Sequence, residues 1–454
     1  MMRVINFCFI ILDELITNLY NARKNIVKRL KICRWISVSL LIGGLVGCNQ
    51  NSRGNSEEIE FWTMQLQPKF NQYFEQVNNS FTQDQTMPVR WIDIPWEAME
   101  SKILTAISAK TAPDVVNLNP NFASQLASRN AWLDLDEAIA TEEQQTYLPK
   151  IWQASSIEVC KNEDCDSVTF GLPWYLTTRV TIYNQDILTE AGLAKSPQTY
   201  QELAIAAKQI KEKTGKYAFF VTFAPGDSGE VLESMVQMGV TLVDEEGKAA
   251  FDSPEGQAAF NYWVELYQNK LLPPEVLTQG HRYAVELYQA GEIAFLSSGA
   301  EFLNAIATNA PTIAEVSAVS PQITGKTGKK NVAVMNLAIP KDTDQPEKAV
   351  DYALFVTNTA NQLAFAKEAN VLPSTTEAVN QYIEELEQQA TITPIEQARK
   401  VSAQQLKDAE VLIPAMDNSQ ILKKVIYENL QAAMLGEKTV EQAVQDAATE
   451  WNNQ

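Results

Sequence analysis

The sequence predicts an α/β fold arranged as two lobes that the chain crosses more than once, and three observations predict it. Strand-like and helix-like segments alternate from residue 59 onward. A second alternating set begins near Val168, and a strand-like run returns late, at 332–339, among segments that are otherwise helical. Alternation of this kind builds βαβ units and a mainly parallel sheet, with ligands expected beyond the carboxyl ends of the strands.

The first set opens with Ile59-Glu60-Phe61-Trp62 as a short strand. A helix is expected over 68–77, a strand over 88–94, and a helix over 97–109, where Met99, Ile103, Leu104 and Ile107 recur at helical spacing. Val115-Val116-Asn117-Leu118 reads as a buried strand. In the second set, 168–172 and 180–183 read as strands, and Thr199 with Glu202 forms a capping box that opens a helix over 199–214. A strand is expected at 218–222, a helix at Ser253-Pro254-Glu255 with Pro at its first position, and a strand at 293–296. From Pro346 helices dominate; the last is marked by a capping box of Thr439 and Gln442 and an apolar stripe of Val440, Ala443, Val444, Ala447 and Trp451.

Composition then narrows the chemistry. The 454 residues are 45% hydrophobic and 20% charged, a globular balance that excludes a disordered, collagen-like or polytopic membrane chain. The single His, His281, rules out a multi-His zinc site and leaves one candidate for any His-based triad. With 56 Asp+Glu against 36 Lys+Arg, the net charge of −20 supplies no basic face for phosphates, so nucleic acid is not an expected partner.

The amino terminus reads as an export signal. Arg23, Lys24, Lys28, Arg29, Lys31 and Arg34 precede an uncharged run, 35–47, that ends at Cys48 and is shorter than the about 20 residues a spanning helix needs. Leu45-Val46-Gly47-Cys48 resembles the bacterial lipobox, so Cys48 is the expected site of lipidation and 48–56 a polar tether. Residues 1–34 are long for the basic part of a signal, and an overextended start is as consistent with them as a real extra segment. Removing 1–47 takes away seven basic and two acidic residues and leaves 29 against 54, a net −25. With Cys8 and Cys33 in that segment and Cys48 acylated, only Cys160 and Cys165 remain as thiols; in an oxidising compartment they are expected to form a small disulfide, the alternatives being free thiols or half of a metal site.

At this point the residues resemble a known family, the extracellular solute-binding proteins of sugar ABC importers, which includes maltose-binding protein. The resemblance runs through Ile59-Glu60-Phe61-Trp62-Thr63, Thr111-Ala112-Pro113-Asp114-Val115-Val116, Phe170-Gly171-Leu172-Pro173-Trp174-Tyr175 and Pro197-Gln198-Thr199-Tyr200-Gln201-Glu202-Leu203. It continues in Ala290-Gly291-Glu292-Ile293-Ala294-Phe295 and closes in Gly436-Glu437-Lys438-Thr439-Val440-Glu441-Gln442-Ala443. It implies two α/β lobes joined by crossing strands, a solute held in the cleft between them, and delivery of a carbohydrate to permease subunits by a lipid-anchored monomer. It also implies lobes of 57–167 with 316–369 and of 168–315 with 370–454, no catalytic residue, and no cofactor or metal. After Gly299, where relatives often place a Trp, this chain has Glu301-Phe302, which leaves the identity of the ligand open.

Sugar sites need aromatic faces for C–H surfaces and planar polar groups for hydroxyls, because an unpaired buried hydroxyl costs about 1–3 kcal/mol. Trp62, at the expected end of the first strand, is a candidate contact or a core residue, and Gln65 just beyond it is a candidate too. Trp96 lies in a strand-to-helix turn, the setting of a cleft rim. Trp174 and Tyr175 follow a strand end next to an expected lobe crossing, with Arg179 as a ligand contact or a structural ion pair. Asn119 offers an amide, although Asn119-Pro120-Asn121 is also turn chemistry. Asp227 could chelate hydroxyls or cap a helix, Glu301 could bind the ligand or complement a helix dipole, and His281 is expected at an exposed helix start. Two other functions compete with the sugar receptor: a receptor of the same fold for a polyamine or other cation, suited to the acidic charge, and a glycoside hydrolase using carboxylates such as Asp227 and Glu301.

Overall fold

The computed structural model describes residues 58–127, 129–161, 164–389, 393–413, 416 and 418–454. The expected signal over 1–47, the lipidated Cys48 and the tether to 56 lie outside the described residues. Among those described, no helix is long and apolar enough to cross a membrane.

Three parallel strands start the first lobe: β1 (Ile59–Met64), β2 (Val89–Ile94) and β3 (Val115–Leu118), with β1 between the other two. A hairpin follows, β4 (Ser156–Lys161) and β5 (Asp164–Thr169), then β6 (Leu172–Thr178). The second lobe holds β7 (Val180–Asn184), β8 (Phe295–Ser298) and β9 (Ser317–Ser320), all antiparallel, with β7 in the middle. The chain then returns through β10 (Lys330–Ala338), the short β11 (Leu372–Pro373) and β12 (Ala409–Glu410). The large sheet runs β11-β6-β10-β3-β1-β2, with β12 beside the first residues of β10.

The expectation of a mainly parallel sheet holds only for β2-β1-β3. Strands β10, β6 and β11 join antiparallel because they are return and exit segments of the lobe crossings, not the second strands of βαβ units. The pairings also move the expected lobe boundaries. Strand β6 belongs to the first sheet up to Thr178, so the first crossing falls at Arg179 and not at 167; β9 stays in the second sheet, so the second crossing lies between Ser320 and Lys330 and not at 315.

Period-2 alternation divides the core of the large sheet. Phe61, Val115 and Leu337 face one cluster, and Trp62, Val116 and Ala338 the other. A third cluster, including Leu176, Val332, Val334 and Leu372, fills the crossing-side edge, and the second lobe has its own core around Ile182, Phe223, Trp263 and Tyr427.

Local signals held where a cap fixed them. The Thr199 hydroxyl accepts from the Glu202 amide and opens helix Tyr200–Thr214, while the Glu202 carboxylate accepts from the Gln198 amide, one residue before the cap, and does not complete the expected box. Ser253 caps Pro254–Gln268 through the Gly256 amide. At the last helix, Val440–Asn452, Thr439 accepts from the Gln442 amide as expected, but the Gln442 side chain turns to Asp446 and does not complete the box. The run 218–222 forms no strand; Tyr217 bridges to Ile293, and the Ala218 carbonyl accepts from Ala294 and Phe295 while the phenyl rings that follow are buried in the second core.

Candidate functional site

Between the lobes lies a cleft of about 910 Å³. Its first wall is made where the parallel strands end. After β2, Trp96 and Glu100 stand one helical turn apart on helix Trp96–Ser108, and after β3 come Asn119, Phe122 and Gln125. The floor is crossing strand: Thr177 of β6 with Ala333 and Met335 of β10. The far wall carries Asp227, Gly229, Leu232 and Glu233 at the start of helix Glu230–Gln237, then Ile413 and Lys423.

Charge in this wall is organised. Arg179, at the first crossing, pairs its Nε with a Glu233 carboxylate oxygen at 3.4 Å and donates from its second terminal nitrogen to the Ser228 hydroxyl at 3.0 Å. Burial raises the Glu233 pKa, and the Arg179 charge and a hydrogen bond from Asn331 oppose it. Asp227 accepts from the His281 backbone amide at 3.0 Å, and the buried Lys423 donates to the Asp227 carbonyl at 2.6 Å. Gly280 lets the Asp227 carboxylate lie against the backbone, and a Cβ there would push that side chain aside. The His281 imidazole is folded in against the Ser298 hydroxyl, 3.2 Å away, and is not exposed as expected. Burial, reinforced by Arg179, pushes its pKa down to about 4, with Asp227 and Glu233 opposing.

Of the expected site residues, Trp96, Asn119 and Asp227 line the cleft, and Arg179 reaches it through Glu233. Trp96 is 40% exposed. The Asn119 side-chain oxygen accepts from the Phe122 amide, which caps the helix.

The remaining five are placed elsewhere. Trp62 is not at a strand end: β1 continues to Met64, alternation turns the indole into the core, and Lys102 covers its face at 4.5 Å. Trp174 is fully buried on the other side of the sheet, stacked on Phe365 at 4.9 Å with Phe61 and Phe74 edge-on. Tyr175 shares the face of Thr177 but stands half-buried against Trp174 and Phe365 and does not line the cleft. Gln65 occupies an exposed turn at φ 54°. Glu301 opens into a separate pocket of about 10 Å³ with Thr178, Asn370 and Arg399, its carboxylate folded back against Gly299. Asp227 and Glu301, the pair a hydrolase would use, therefore face different cavities.

Sequence reasoning missed Glu233, Lys423 and Glu100. Glu100 carried a usable signal, since it falls four residues after Trp96 on one helix face. Glu233 and Lys423 carried none, because only the fold brings them to Arg179 and Asp227. Cys160 and Cys165 are paired in the backbone register of the β4–β5 hairpin, and their side chains lie outside the described atoms.

The family model of bacterial extracellular solute-binding proteins matches residues 64–363. A candidate oligosaccharide periplasmic-binding protein from Synechococcus sp. MITs9220, solved in complex with zinc, is 46% identical, with a TM-score of 0.79 over 87% of this chain and 98% of that one. The cyclic alpha-maltosyl-1,6-maltose binding protein of Arthrobacter globiformis shares the fold, with a TM-score of 0.74 at 19% identity over 87% of this chain and 98% of that one. The arabinooligosaccharide-binding protein of Halalkalibacterium halodurans is 25% identical over 324 residues, 67% of this chain and 68% of that one. With its two α/β lobes and the cleft between them, this chain belongs to the family of bacterial extracellular solute-binding proteins.

Proposed function

We propose that this chain is the lipid-anchored, extracytoplasmic solute-binding subunit of an ABC transporter, that it acts as a monomer, and that it takes a sugar or oligosaccharide into the interlobe cleft for delivery to the permease. The observation that carries the reading is the cleft itself: about 910 Å³ of space with an exposed indole, Trp96, on one wall and hydrogen-bonding groups from Asn119, Asp227 and Glu233 around it. An indole face covers the C–H surface of a pyranose, and carboxylates and amides satisfy its hydroxyls. The names of two relatives, which bind an arabinooligosaccharide and a cyclic maltosyl-maltose, support that class of ligand. Sugar contacts to both walls would favour the closed arrangement of the lobes, by as much as its affinity for closed exceeds that for open.

The anchor rests on the order of basic residues, apolar run, small residues and Cys48. Cys48→Ser should abolish fatty-acid labelling and release the protein from the membrane fraction; a variant that stayed labelled would refute the anchor. The hairpin register supports a Cys160–Cys165 disulfide, and thiol counting on the mature, lipidated protein, denatured without reduction, would detect no reactive Cys if it forms.

A thermal-shift screen of the full-length protein in detergent, against mono- to trisaccharides, polyols and polyamines, tests the ligand class. A ligand at 100 times its Kd adds about 2.7 kcal/mol. Shifts confined to one saccharide class, with no turnover, support the proposal. Shifts with polyamines alone would favour the second reading, a cation receptor, for which the specific observation is that Glu100, Asp227 and Glu233 all line the cleft.

A further inference from the structure

The crossing region is tied together by one buried amide. Gln405 ends helix Pro394–Gln405, whose Ala398 and Val401 pack in the core of the second lobe and whose Ala403 packs in the crossing-side cluster of the first. The Gln405 side-chain oxygen accepts from the Gln322 amide at 2.7 Å, on the second crossing. Its Nε2 donates to the Arg179 carbonyl at 3.2 Å, on the first crossing. It is 3% exposed, so both bonds are shielded from bulk water.

These bonds close a ring that includes the cleft wall. Arg179 pairs with Glu233, and the helix that carries Glu233, Glu230–Gln237, joins the second crossing through Gln237. The Asn331 amide donates to the Gln322 side chain at 2.7 Å, and the Gln322 amide donates to Gln405. Gln237, one turn beyond Glu233 on the same helix, braces the ring by donating to Gln322 at 3.1 Å and accepting from the Tyr200 hydroxyl at 2.6 Å. A residue at the Gln405 position therefore has to present one acceptor and one donor in opposite directions. Leu offers neither, and Glu offers only the acceptor.

We propose that Gln405 is a positioning residue for the ligand cleft: by holding the Arg179 carbonyl and the Gln322 amide at once, it sets where the Arg179–Glu233 pair stands on the wall and couples the lobe crossings to that pair. This rests on the reading of the cleft as the ligand site. Gln405 touches no ligand itself. It acts through Arg179 and Glu233, and the loop of bonds makes movement of one crossing felt at the other.

Hydrogen-exchange mass spectrometry on the full-length protein without ligand tests this. In Gln405→Leu, exchange in peptides containing Gln322, Asn331 and helix Glu230–Gln237 should rise at least about tenfold while the core of the first lobe keeps its protection. Gln405→Glu retains the acceptor, so protection at Gln322 should be restored while the segment at Arg179 and the helix stay loosened. Unchanged exchange at Gln322 and Asn331 in Gln405→Leu, or a uniform rise across the whole chain, would overturn the proposal. Should Gln405→Leu not fold, Gln405→Asn, one methylene too short to span both partners, takes its place with the same expected pattern. With the saccharide that gives the largest thermal shift, folded Gln405→Leu should lose about tenfold in Kd and Gln405→Glu should recover part of it, and an unchanged Kd would overturn the positioning role. No saccharide shift in the wild-type protein would instead mark failure of the sugar reading and leave the exchange result to decide the ring.

Discussion

Replacing Trp96 by Ala tests the site where structure and sequence agree. The indole is 40% exposed at the first residue of helix Trp96–Ser108, so truncation leaves no core cavity and should cost little stability. Taking a Trp surface as about 250 Å², the exposed part is roughly 100 Å². A sugar ring lying on one face would cover about half of that, and at ~25 cal/mol per Å² this is about 1.3 kcal/mol. The expected loss is therefore about tenfold in Kd. Calorimetric titration of the wild-type and Trp96→Ala proteins, with the saccharide that gives the largest thermal shift, measures it directly. An unchanged melting temperature without ligand would show that the variant is folded. If that folded variant bound within about twofold of wild type, the indole would not be a stacking face and the cleft wall would have to be reassigned.

Trp174, expected at first as a sugar contact, should behave as a core residue: Trp174→Ala should cost about 3–5 kcal/mol in denaturant unfolding. Trp174→Phe should cost much less, because the buried indole nitrogen has no acceptor, and should leave ligand affinity unchanged; a large affinity loss in Trp174→Phe would return the residue to the site. His281 should make stability pH-dependent. Its pKa falls from 6.5 to about 4 on folding, so the unfolded chain holds the extra proton in that interval. The contribution is complete above about pH 6.5 and is lost as pH falls towards 4, by up to about 3 kcal/mol. Glu233 and Glu301, raised by burial, act in the opposite sense, so the quantity to measure is the difference in unfolding free energy between wild type and His281→Gln across this range. A pH-independent difference would mean that the imidazole is not held neutral.

The legible parts of the fold were those fixed by short-range rules. Thr199 and Ser253 announced their helices because an N-cap hydroxyl satisfies an amide three residues away, whatever the rest of the chain does. Trp96 was legible for a related reason: Pro95 ends the strand, and a large apolar residue in such a turn has little backbone beside it to bury against. Trp62 and Trp174 were misplaced because a strand sequence gives alternation but not which face is covered. One residue of register separates Thr177 on the cleft floor from Leu176 in the core.

By itself, then, the sequence determined the α/β class, the two lobes, the order of most elements and the family resemblance, because periodicity, caps and motif order are local properties of the chain. The tertiary structure alone decided which candidates meet. Arg179 and Glu233 are 54 residues apart and Asp227 and His281 likewise, and Gln405 reaches Arg179 across 226. Folding of the second lobe brings Asp227 to His281, and the crossings between lobes bring Gln405 to Arg179. Burial, which no local pattern reports, is what shifts the pKa of His281 and Glu233 and turns isolated polar residues into a connected wall.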